Sequence, residues 1–127
     1  MTRVLLVDDD PSLRRALTRT LQHAGFEVQA YASAEALLAA GPVDPAACLV
    51  LDLDLPGGSG IELKKALDLA GCALPTIFIT ASEREGLARQ LAPLSPVAML
   101  HKPFSNDELL QALGRACAHP TPERRLS

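Results

Sequence analysis

Tryptophan is absent from this sequence, and the other aromatics amount to one Tyr and three Phe among 127 residues. Without a row of rings there is no platform for stacked bases, which excludes a single-strand nucleic-acid binder. A surplus of positive charge is missing too: 12 Lys and Arg stand against 15 Asp and Glu, a net charge of −3. That balance argues against direct binding to nucleic acid or to a membrane surface. Cysteine is scarce and poorly spaced. Cys48, Cys72 and Cys117 are odd in number and form no CxxC pair, which speaks against disulfides or zinc and for a reducing, cytoplasmic setting. No apolar run approaches the roughly 20 residues of a membrane span, and Met1-Thr2-Arg3 leads into a strand-like run too short for a signal segment. What is present is 48% apolar residues in a length that suits one domain. Such a chain can bury roughly two-thirds of its unfolded surface without metal or cross-link.

Short apolar runs alternate with helical patterns along the chain. Val4–Val7 reads as a strand apolar on both faces, as parallel strands are. Asp10-Pro11 then reads as an N-cap and first helical position, Leu13, Leu17 and Leu21 as one core stripe, and Gly25 as the stop. Glu27–Tyr31 alternates like a strand, and Ser33 suits the cap of a short helix ending near Gly41-Pro42. The second half repeats the beat. Cys48–Leu51 predicts a strand ending at Asp52, Pro75–Ile79 one ending at Thr80, and Val97–Leu100 one running into His101-Lys102-Pro103. Capping boxes are expected at Ser59/Glu62, Ser82/Glu85 and Ser105/Glu108, the last opening a helix with Leu109, Leu113 and Ala116 on its core face. Five strands and five helices in alternation imply an α/β fold, a parallel sheet covered on both faces. One domain over residues 1–117 is expected, with residues 118–127 as a disordered tail.

Polar residues fall where an open parallel sheet builds a site, at the carboxyl ends of its strands. Asp8, Asp9 and Asp10 follow the first, Asp52 the third, Thr80 the fourth and Lys102 the fifth. Crowded carboxylates repel, and a hard divalent cation such as Mg2+ relieves them while keeping waters for a phosphate. Lys102 offers a point charge for phosphoryl oxygens, Thr80 a hydroxyl donor, and Asp52 a carboxylate nucleophile for an aspartyl phosphate. Phosphoryl transfer needs mainly positioning and charge neutralisation, which this set supplies. Asp10 reads as a cap only, His101 as a surface residue, His23 as a dipole partner near the end of its helix rather than a ligand, and Met99 as core or a half-buried face.

The strings Leu5-Leu6-Val7-Asp8-Asp9-Asp10-Pro11, Leu51-Asp52-Leu53-Asp54-Leu55-Pro56 with Gly60, Ile79-Thr80-Ala81 and Lys102-Pro103-Phe104 resemble a response-regulator receiver domain. The resemblance covers about residues 3–117, in the family's order and spacing, and four motifs in register are specific where one would be weak. It implies a flavodoxin-like sheet of order 2-1-3-4-5, doubly wound with five helices. It also implies that Asp52 takes a phosphoryl group from the phosphohistidine of a histidine kinase or phosphotransfer protein. Asp9 would bind magnesium directly, Asp8 through water, and Asp52 and the backbone carbonyl of Asp54 would complete the protein ligands. Thr80 would move toward the phosphoryl group and Lys102 contact it. Asp54 and Ser82 match positions that tune dephosphorylation, and Ala81 and Met99 belong to the switching region. The only catalysis implied is the domain's own phosphorylation and dephosphorylation, and the downstream protein partner is left open.

Two departures stand out. The aromatic expected in the fifth strand falls on Met99, and Pro93-Leu94-Ser95-Pro96 precedes that strand, which should shorten the fourth helix or reshape its exit. Two other readings compete. Asp52-Leu53-Asp54 resembles the nucleophile motif of haloacid-dehalogenase phosphatases, but that family's acidic pair follows its lysine, whereas Asp8 and Asp9 precede Lys102. A phosphorylation-independent binding module would be signalled by loss of Asp52, Asp9 or Lys102, and all three are present.

Overall fold

The computed structural model describes residues 2–55, 60–82 and 85–117. The expected cap at Ser59 and the 118–127 tail lie outside these residues. Five strands, β1 (Arg3–Val7), β2 (Glu27–Tyr31), β3 (Cys48–Asp52), β4 (Thr76–Thr80) and β5 (Ala98–His101), form one sheet ordered β2-β1-β3-β4-β5. Every pairing is parallel. Between them run α1 (Pro11–His23), α2 (Ala34–Ala39), α3 (Gly60–Leu69) and α4 (Leu87–Leu91), and α5 (Asn106–Cys117) follows β5. The expected order and alternation are those observed.

Strand periodicity divides the core in two. On one face Leu5, Val7, Leu49, Leu51 and Phe78 pack with Leu37, Leu63, Leu67, Leu87 and Leu91 from α2, α3 and α4. On the other, Val4, Leu6, Val50, Ile77 and Ile79 pack with Leu17 and Leu21 of α1 and Leu109, Leu113 and Ala116 of α5. Each fully buried Leu or Ile contributes about 1.5–3 kcal/mol relative to exposure, so the two layers hold the central strands rigidly.

The caps follow local chemistry. Asp10 Oδ1 accepts from the amides of Ser12 and Leu13 at 2.9 and 3.3 Å, and α1 stops before Gly25, whose φ of 97° suits glycine. Ser33 Oγ accepts from the Ala36 amide at 3.0 Å. Ser105 and Glu108 form the expected reciprocal box, each side chain accepting from the other's amide. The cap expected at Ser82 is corrected: α4 begins at Leu87 after Gly86, which has φ 81° and no side-chain cap. Ser82 is held elsewhere, its amide donating to Thr80 Oγ1 at 3.0 Å. The prolines act as expected. After five residues α4 gives way to a single 3₁₀ turn (Ala92–Leu94), and Ser95 is left-handed at φ 50°.

Candidate functional site

Register brings the polar residues together. Val7 pairs with Leu51, Asp52 with Ile79, and Thr80 with His101, so β1, β3, β4 and β5 reach their carboxyl ends in one row. Asp8, Asp52, Thr80 and Lys102 follow as neighbours along that edge. Main-chain bonds extend the row one step, from the Leu53 amide to Ile79 O at 2.9 Å and from the Lys102 amide to Thr80 O at 2.7 Å. Behind it, α3 approaches so closely that a Cβ at Gly60 would lie 2.5 Å from the Asp52 carbonyl oxygen. Glycine is what permits that approach.

Asp52 is 1% exposed and Asp8 is completely buried, whereas Asp9 faces solvent. The Asp52 carboxylate is shared between two donors: Oδ1 accepts from the Asp54 amide at 2.8 Å and Oδ2 from Lys102 Nζ at 3.1 Å. Lys102 also lies 3.3 Å from Asp8 Oδ2. Asp8 Oδ1 accepts from the Asp10 amide at 2.9 Å, while Oδ2 is buried and has the ion pair but no well-directed hydrogen bond. Carboxylate oxygens of Asp8, Asp9 and Asp52 all lie within 4.8 Å of one another. One ammonium thus pairs with two of three clustered carboxylates, and the cluster is an all-oxygen donor set that fits a hard divalent cation.

The electrostatics bear the mark of that crowding. Burial foremost, with the neighbouring Asp52 charge, raises the Asp8 carboxyl above its ordinary value against the opposing Asp10 amide and Lys102. For Lys102, burial works to lower the value, but the hydrogen bond and charge of Asp52, followed by Asp8, outweigh it and hold the ammonium above its usual range.

Thr80 lies at the same sheet edge and bonds to Asp54. Its hydroxyl donates to Asp54 Oδ2 at 3.1 Å, and the Ala81 amide donates to the same oxygen at 3.0 Å. This side-chain role of Asp54 was not expected from the sequence, which marked only its backbone carbonyl and a tuning position. Arg14 was also missed: its guanidinium donates to the Asp8 carbonyl at 2.8 Å, and an arginine one turn into the helix after an acidic run is the signal that could have found it. Met99 is not brought to the crevice. It is 41% exposed, more open than a core position, and lines a surface groove with Ser82, Leu87, Arg89 and His101.

Comparison with known proteins completes the site. The sequence model described as response regulator receiver domain matches residues 4–114. The chain belongs to the response regulator receiver domain family. Nodulation protein W of Bradyrhizobium diazoefficiens is 38% identical over 110 residues, covering 87% of this chain and 48% of that protein. The non-phosphorylated HemR receiver domain from Leptospira biflexa superposes with a TM-score of 0.87 at 27% identity, covering 96% of this chain and 98% of that one. Response regulator TrrA from Thermotoga maritima, solved in complex with Mg2+ and BeF, superposes at 0.76 with 28% identity, covering 91% and 99%. The chain spans about half or less of the length of the first curated relatives it matches, 48% and 25%. A receiver is a signalling domain of two-component systems, and this assignment displaces the phosphatase alternative. Among the described residues no helix of this receiver is long and apolar enough to cross a membrane.

Proposed function

We propose that Asp52 takes a phosphoryl group from the phosphohistidine of a histidine kinase or phosphotransfer protein, and that this switches the binding of a downstream protein partner. The observation that carries the reading is a buried carboxylate, Asp52, sharing one ammonium with a second, fully buried carboxylate at 3.1 and 3.3 Å. An Asp52 oxygen attacks phosphorus in line. The N–P bond breaks, and its electron pair stays on the donor imidazole, which takes up a proton. Lys102 meets the phosphoryl oxygens as a point charge, and the Thr80 hydroxyl and Ala81 amide would serve as neutral donors.

Magnesium fits the donor set. Asp9 and Asp52 would hold it directly with the Asp54 backbone carbonyl, and Asp8 through a water. The cluster of three carboxylates and the buried Asp8 oxygen that lacks a hydrogen bond support this assignment, as does the magnesium complex of the Thermotoga relative. When bound, the ion neutralises charge on the oxygens of the transferring group. Asp54 and Ser82 then set how long the acyl phosphate lasts. Catalysis is limited to the domain's own phosphorylation and dephosphorylation, in the cytoplasm, with no direct nucleic-acid contact by the domain.

Acetyl phosphate with magnesium tests the assignment without a kinase. One phosphoryl group per chain is expected, as a base-labile acyl phosphate on Asp52, and none on an Asp52→Asn variant. Full labelling of that variant would remove Asp52 from the role. A wild-type chain that accepts no phosphoryl group from either acetyl phosphate or a kinase would favour the phosphorylation-independent module.

A further inference from the structure

Asp54 Oδ2 takes both polar hydrogens that the end of β4 presents to it, the Thr80 hydroxyl at 3.1 Å and the Ala81 amide at 3.0 Å. Each of these groups has one proton to give. A proton directed at Asp54 is not directed at a phosphoryl oxygen, so the two acceptors compete for the donors. The Ser82 amide donates to Thr80 Oγ1 at 3.0 Å, which fills an acceptor position of the hydroxyl and leaves its proton for the carboxylate. Asp54 is itself tethered to the other acceptor, its amide donating to Asp52 Oδ1 at 2.8 Å. The side chain is exposed, so hydrogen bonds to β4 rather than packing hold it there.

We infer that Asp54 is a resident competitor for the Thr80 hydroxyl and Ala81 amide, which a phosphoryl group on Asp52 must displace before the switch region can close on it. The inference rests on the reading of Asp52 as phosphoacceptor. The Asp54 side chain touches no reacting atom; it is a positioning group that holds Thr80 and Ala81 in the resting arrangement. Hydrogen bonds to an ionised acceptor are stronger than neutral ones, though solvent at an exposed carboxylate weakens them. Removing the carboxylate should therefore tighten binding of a phosphoryl mimic by about tenfold. Asp54→Asn should fall between, because its amide oxygen still accepts but is neutral.

The test uses the full chain, isotope-labelled, with beryllofluoride and magnesium as probe. In ligand-free Asp54→Ala the Ala81 amide proton should move upfield, as expected when a charged acceptor is lost. Beryllofluoride should bind that variant about tenfold more tightly than wild type, and the gain should shrink to about threefold or less in a Thr80→Val background, where only Ala81 remains to be contested. If Thr80→Val does not fold, Thr80→Ala takes its place. An unmoved Ala81 amide would overturn the competitor role. So would a gain equally large with and without the Thr80 hydroxyl, since that is plain charge repulsion. A wild type indifferent to beryllofluoride, or an Asp52→Asn variant that binds it equally well, overturns the phosphoacceptor reading and the competition with it. The ligand-free Ala81 shift still shows separately whether the resting contact exists.

Discussion

At Asp8 two demands oppose each other. A carboxylate that helps to hold a cation has to be charged, yet this one is fully buried beside the Asp52 carboxylate and shares a single lysine with it. Burial raises its pKa in the fold, so folding favours the protonated form. Any stability gained from this group is complete below the unfolded value of 3.8 and is lost as pH rises through the raised folded value. At neutral pH, ionised Asp8 is therefore a net cost to the metal-free protein. Asp8→Asn keeps an oxygen for the Asp10 amide and removes the charge, and should stabilise the metal-free domain by about 1 kcal/mol at pH 7. Urea unfolding in the presence of a chelator measures it, and the advantage should shrink as pH falls toward 4. Destabilisation by Asp8→Asn at pH 7 would show that the Lys102 pairing outweighs the burial. The acidic residues were legible because strand ends in a parallel sheet collect polar side chains, and Asp8, Asp9, Asp52 and Lys102 needed nothing more. Asp54 was legible only as a position, since its bond to Thr80 spans 26 residues and depends on where β4 ends.

The elements differ in how much of their definition is local. The caps of α1, α2 and α5 are made by residues two or three apart, so Asp10, Ser33 and Ser105 announce them directly. The start of α4 is not local. Ser82 has the right spacing to Glu85, but its amide is committed to Thr80, the chain turns left-handed at Gly86, and Pro93 lies close behind. Only Leu87–Leu91 is left to be helical. Similarly, in the sequence Gly60 is only one residue of the motif, whereas in three dimensions it is the point where α3 meets β3. An alanine there would set its Cβ 2.5 Å from Asp52 O and 3.1 Å from Leu51 Cγ, and neither backbone nor a packed leucine yields easily. Gly60→Ala should cost about 1–3 kcal/mol. It should also slow labelling by acetyl phosphate, because relief of the clash displaces the backbone that carries Asp52. A variant with an unchanged urea midpoint and unchanged labelling would mean that α3 can move away freely.

For the molecule as a whole, the order β2-β1-β3-β4-β5 makes β1 and β3 adjacent, and that adjacency is what crowds Asp8 and Asp9 against Asp52. The topology which buries two complete core layers therefore also concentrates negative charge at one edge, and the cost is spread over a cooperative unit rather than a loop. Magnesium, proposed for this edge, would bind the folded chain and find no such cluster in the unfolded one. It should stabilise by RT ln(1 + [Mg2+]/Kd), about 1.4 kcal/mol at ten times Kd. For a domain of this size that is a rise of about 5 °C in Tm. The control is potassium chloride at matched ionic strength, because general screening of the three carboxylates also gives some stabilisation. Asp9→Ala should lose most of the magnesium-specific rise, because the proposed direct ligand is gone, whereas Asp8→Asn should keep a larger part of it, because its proposed contribution passes through water. The two variants should thus separate in opposite senses, one with ordinary metal-free stability and little response, the other more stable without metal and still responsive. Equal magnesium shifts in wild type and Asp9→Ala would place the ion elsewhere on the protein.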